Sequence, residues 1–239
     1  MIFFLTSAPP LNEDFSFSDE NSFISEIRAA VKDTVRGLLI CSDPDDREKT
    51  ERHLGAIKTS FELSKIKFSR FDVLDGRNSE KAAELVSSAG FILLDGGHVP
   101  TQNKFFMKIG LKELLKDFDG VLMGISAGTM NSAGTVYAQP ELEGEAVDPD
   151  YVRFFPGLGL TRAMVLPHYQ ANKDDVLDGL KVYEDIAFPD SMGREFYALV
   201  DGSYIFIKDG KQELRGEAYL IKDAKMTKIS SVGDITELE

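Results

Sequence analysis

The chain contains one cysteine, Cys41, among 239 residues. An internal disulfide and any cysteine-rich metal site are thereby excluded, and Cys41, at the end of the run Gly37-Leu38-Leu39-Ile40, reads as a small core residue. Histidine is scarce too: only His53, His98 and His168 could serve as a base. Cationic residues fall short of acidic ones, 27 Lys and Arg against 40 Asp and Glu, for a net charge of −13. A surface so acidic repels nucleic acid and anionic membranes, so neither is expected as a partner. No hydrophobic run reaches membrane-span length. The opening Met1-Ile2-Phe3-Phe4-Leu5 is too short for a signal peptide and lacks a cationic start, so a cytoplasmic protein is expected. There is no Pro- or Ser-rich linker, internal repeat or low-complexity tract. The length suits a single α/β domain over 1–239, acting alone or as a homodimer.

What is present is an alternation of short apolar runs with longer amphipathic stretches, the pattern of a mostly parallel sheet covered by helices. Strands are expected at 1–5, 36–41, 68–74, 90–94 and 120–124, with helices at 23–32, 46–63, 79–88 and 101–118, and another beginning at Ala127. An acidic loop at 141–150 precedes a short strand at 163–166 and a helix at 174–186. Beyond Glu195 the chain changes character: strands at 196–200, 204–208, 217–222 and 226–229, joined by Asp-Gly and Lys-Asp turns, should be antiparallel. The fold class is α/β, with three layers and helices on both faces.

The segment Gly124-Ile125-Ser126-Ala127-Gly128, between the apolar Val121-Leu122-Met123 and small residues, reads as a nucleophile elbow. At such a turn a strand bends sharply into a helix, the serine is strained and exposed, and glycines stand where side chains would clash. The N–H of Ala127 would point at an oxyanion forming beside Ser126. A serine hydroxyl needs a neighbouring base. His53 lies inside a predicted helix and reads as a surface residue, whereas His168 follows Val165-Leu166-Pro167 and emerges at the carboxyl edge of the sheet, as Ser126 does. Asp95-Gly96-Gly97-His98 follows a buried strand; its backbone N–H groups could supply a second oxyanion donor, with Gly96 and His98 facing the substrate. For the orienting acid, the 141–150 loop offers Glu141, Glu143, Glu145, Asp148 and Asp150, while Asp201 closes a later strand.

These residues resemble peptidase E, the aspartyl dipeptidases, and the related cyanophycinases. Those are serine peptidases on a glutamine-amidotransferase-like, flavodoxin-like fold. The likeness spans most of the chain and rests on Asp-Gly-Gly-His at 95–98, the elbow, Phe-Pro-Gly-Leu-Gly-Leu at 155–160, Leu-Pro-His-Tyr at 166–169 and Leu-Val-Asp-Gly at 199–202. The resemblance implies Ser126 as nucleophile, His168 as base, and Gly97 and Ala127 as oxyanion donors. It places the acid at Asp201, with Glu143 the alternative. Where peptidase E carries Gly-Gly-Gly-Asn-Thr, this chain has Asp95-Gly96-Gly97-His98-Val99, which alters two groups that face the substrate. An acidic substrate side chain would call for an arginine, with Arg153, Arg162 and Arg194 as candidates. The expectation is a serine peptidase on small peptides that needs no metal or organic cofactor. A silent binding protein, or an esterase or amidase, is the rival.

Overall fold

The computed structural model describes residues 1–32 and 35–238. Five parallel strands form its centre: β1 (Ile2–Thr6), β2 (Arg36–Ile40), β3 (Arg70–Leu74), β4 (Phe91–Leu94) and β5 (Val121–Ile125), in the order β3-β2-β4-β5-β1. Most are near-continuous apolar runs because both faces are covered: Phe4, Leu5, Leu39, Ile40, Ile92, Leu94 and Leu122 have no solvent exposure. The helices between them are α1 (Phe23–Ala30), α2 (Arg47–Leu63), α3 (Ala82–Ser88), α4 (Val99–Lys108), α5 (Leu111–Leu114) and α6 (Ala127–Asn131). The helix expected over 101–118 is divided at Gly110, whose left-handed φ of 64° ends one helix and starts the next. α2 begins where Asp46 accepts the Lys49 N–H at 2.9 Å.

After α6 come β6 (Thr135–Tyr137), β7 (Phe154–Pro156), β8 (Met164–Leu166), α7 (Tyr169–Asn172), β9 (Val176–Leu177) and β10 (Leu180–Lys181). The expected helix at 174–186 is therefore corrected. β9 and β10 form a hairpin through Asp178 and Gly179, both with positive φ, as an Asp-Gly turn requires, and only Val182–Ala187 is helical, of π type, leading into α8 (Phe188–Asp190).

The antiparallel tail divides between two sheets. β12 (Tyr204–Lys208), β13 (Lys211–Arg215) and β16 (Ile235–Leu238) extend the central sheet beyond β1, making eight strands. β11 (Glu195–Leu199), β14 (Ala218–Lys222) and β15 (Lys225–Ser230) join β8 in a second, four-stranded sheet. β13 and β16 carry polar residues at the outer end of the sheet, with β16 at its edge, so hydropathy alone did not mark them. The second sheet has its own apolar cluster, in which Tyr137 stacks on Phe196 with ring centroids 4.2 Å apart. The carboxyl ends of β1, β5, β8 and β11 thereby converge.

Candidate active site

Ser126 leaves β5 with φ 50° and ψ −109°, a strained conformation for a residue with a side chain. Its surroundings fix it there. The Ser126 N–H donates to the carbonyls of Thr6 (3.1 Å) and Ser7 (3.0 Å) at the end of β1, and Thr129 Oγ1 donates to Thr6 O at 2.7 Å. A Cβ on Gly128 would lie 2.3 Å from the Leu94 carbonyl oxygen, so α6 can pass over β4 only with glycine there.

His168 emerges past Pro167 in a left-handed conformation, φ 59° and ψ 32°. Its Nε2 lies 3.0 Å from Ser126 Oγ and its Nδ1 lies 2.7 Å from Asp201 Oδ1. A carboxylate only accepts, so the arrangement selects the tautomer with the proton on Nδ1, leaving the Nε2 lone pair for the serine hydroxyl. Asp201 follows β11. Burial pushes its pKa up, but hydrogen bonds from His168 and Ser7, the charge of His168 and a bond from Gln170 outweigh that and hold the carboxyl below the ordinary carboxylate range.

Two further residues complete this arrangement. Ser7, fully buried, accepts the His168 backbone N–H at 2.7 Å and donates its hydroxyl to Asp201 Oδ1 at 2.7 Å. Gln170 donates to Asp201 Oδ2 at 2.6 Å and accepts the Asp201 N–H at 3.0 Å. Sequence reasoning missed both. Ser7 carried a usable signal, since it directly follows a strand at the edge where Ser126 emerges. Glu143, the alternative acid, is exposed in its loop, while Nδ1 of His168 is occupied by Asp201.

Gly96 and Gly97 border Ser126 in a cavity of about 420 Å³. A Cβ on Gly97 would lie 2.4 Å from Ser42 Oγ and 3.0 Å from Lys49 Nζ, so only glycine fits. The Gly97 N–H meets no acceptor among the described residues. Ala127 opens α6, where N–H groups lack a partner four residues back.

His98, expected to face the pocket or to act from behind it, borders neither cavity beside Ser126. Nδ1 contacts Thr101 Oγ1 and Nε2 contacts Glu145 Oε1, both at 2.8 Å. Glu145 in turn accepts the N–H groups of Glu141 (2.9 Å) and Leu142 (3.0 Å), so His98 pins the acidic loop. Burial raises the Glu145 pKa, but those N–H groups and His98 outweigh it and keep the carboxyl low. His53, expected at the surface, lines the 420 Å³ cavity and holds the buried carboxylate of Asp95 at 2.9 and 3.0 Å. The three arginines lie elsewhere: Arg153 pairs with Asp190 at 2.8 Å, and Arg162 and Arg194 line a separate cavity of about 440 Å³. The lysine bordering Ser126 is Lys49. On the other side, Glu141 lines a cavity of about 280 Å³ with Ser126 and His168. Although its loop is exposed, burial of the carboxyl and then the charge of Glu145 push its pKa up to about 7, against the pull of the Val99 N–H, His168 and Lys49. Among the described residues, no three His, Cys, Asp or Glu side chains are grouped to hold a metal.

Solved structures share this architecture. A peptidase from an acI-B1 Actinobacterium aligns with a TM-score of 0.67 at 15% identity, covering 99% of this chain and 96% of that one. A Listeria monocytogenes EGD-e protein, described provisionally as a peptidase E, aligns at 0.60 and 15% identity, covering 96% and 98%. At such identity the likeness is one of fold: a mixed α/β protein with a large, mostly parallel central sheet flanked by helices. No curated protein sequence matches the chain. Residues 48–215 match peptidase family S51, and the chain belongs to that family of serine peptidases.

Proposed function

We propose that this S51 peptidase hydrolyses short peptides through a triad of Ser126, His168 and Asp201. The observation that carries the reading is the relay itself, Ser126 Oγ to His168 Nε2 at 3.0 Å and His168 Nδ1 to Asp201 at 2.7 Å. Ser126 Oγ attacks the scissile carbonyl carbon as His168 Nε2 takes the hydroxyl proton. Asp201 stabilises the resulting imidazolium and keeps its ring in register. The negative charge that develops on the carbonyl oxygen rests on the N–H groups of Gly97 and Ala127; one such donor is worth about 2.7–4 kcal/mol in related sites. His168 then passes the proton to the departing amine, the C–N bond breaks, and water releases the acyl group by the same steps in reverse. Lys49 and Glu141 place an ammonium and a carboxyl on either side of Ser126, partners for the two ends of a short zwitterionic chain. The one thiol, buried Cys41, suits a reducing cytoplasm.

A fluorophosphonate probe tests the reading, since it reacts only with an activated serine. The protein should be labelled, labelling should vanish in Ser126→Ala, and a dipeptide panel should contain a hydrolysed member. An unlabelled wild-type protein that cleaves nothing in the panel overturns it.

A further inference from the structure

The 420 Å³ cavity beside Ser126 is walled mainly by Pro9, Leu11, Phe17, Ala56, Ile57 and Ile125, with Ser126 and His168 at one edge. These come from the segment after β1, from one face of α2 and from the last residue of β5. Leu11 remains 47% exposed beside buried Phe17 and Ile57, so apolar surface stands open next to the serine. Among the polar groups of the wall, His53 is committed to Asp95, whose buried carboxylate opposes a second one, and Lys49 is the one lysine or arginine among the described residues that line it. None of Arg153, Arg162 and Arg194 is among the lining residues.

We propose that this cavity receives a bulky apolar side chain of the residue flanking the scissile bond, so that the enzyme selects peptides with leucine or phenylalanine there over those with aspartate. The inference rests on the serine-peptidase reading. The cavity exceeds the volume of either side chain, and burying one against these walls removes both surfaces from water. An aspartate in the same place would lose its hydration beside the Asp95 carboxylate, with one lysine and no bidentate partner to offset the loss.

The test pairs dipeptides carrying Leu, Phe, Asp or Gly at each position with the fluorophosphonate probe. For the preferred position, kcat/KM for Leu or Phe should exceed that for Asp by about tenfold or more, the discrimination expected of an apolar pocket. Ala56→Phe, on an exposed stretch of α2, should fill the cavity and erase most of that ratio. Leu11→Lys should shift preference toward Asp. A labelled enzyme that prefers Asp, or keeps its preference in both variants, overturns the inference while leaving the serine mechanism standing. A protein that neither labels nor hydrolyses removes the serine mechanism and this inference together.

Discussion

The centre of the cleft and its walls are held by different means. Ser126 is fixed by backbone contacts and by the absence of side chains: two carbonyls at the end of β1 take its N–H, and Gly128 lets α6 rest against Leu94. Asp201 and His168 are fixed by a closed set of hydrogen bonds through Ser7 and Gln170. The walls depend instead on segments that the central sheet does not dictate. One is the segment after β1 that carries Pro9, Leu11 and Phe17; the other is the acidic loop, tied down by His98 through Glu145 and by Asp178, which accepts the N–H groups of Gly144 and Ala146 at 2.8–3.0 Å. The difference teaches that the chemistry can stay constant while recognition changes, because altering a wall does not disturb the elbow.

Breaking the centre should cost most. Ser126→Ala should lower kcat by about 10⁴–10⁶ with an unchanged circular dichroism spectrum, since the glycines remain. Asp201→Asn should lower kcat by about 10⁴ through the wrong imidazole tautomer, whereas Glu143→Gln should leave it unaltered; steady-state kinetics on one dipeptide decides both. Ser7→Ala removes the hydroxyl shared by His168 and Asp201. A tenfold to hundredfold fall in kcat with KM unmoved is expected, matching about 1.5–3 kcal/mol for a hydrogen bond to a charged group. At the wall the effects should be smaller and of another kind. His98→Ala frees Glu145 and the loop, and should raise KM several-fold with little change in kcat. Separate from these kinetic effects is a change of stability at Glu141. Its folded-state pKa is raised from the ordinary 4.5 to about 7. It therefore favours the folded state fully below pH 4.5, and that contribution is lost as pH rises toward 7. The urea midpoint should fall between those pH values, and Glu141→Gln should flatten the fall.

The parallel strands and the elbow could be read from the chain because their signals are local: an apolar run, then glycines at the spacing a sharp turn demands. His168 and Asp201 could be placed because each ends a strand. Gln170 and Lys49 could not, Glu141 only as one acid of its loop, and Ser7 only by its position after β1. Their proximity depends on β1 lying between β5 and β12, on the second sheet bringing β8 beside β11, and on the fold of the 141–150 loop, none of which sequence period reveals. His53 was read only as a surface residue because a helix pattern locates an apolar face but not the Asp95 carboxylate opposite it; its side chain is 37% exposed and also holds that carboxylate. The Asp178-Gly179 hairpin was missed although its turn residues were visible, because apolar residues on either side also fit a helical period.

Ser7 has a consequence for when the enzyme can first act. It bridges to His168 and Asp201 across 161 and 194 residues of chain, and β1 pairs with β12 so that Ile2 meets Lys208. Ribosomes deliver the elbow long before they deliver Asp201 or β12, and contacts this distant close late. On the proposed triad, a nascent chain carries its serine without the means to activate it. Synthesis then keeps Ser126 silent until the chain has been made through β12.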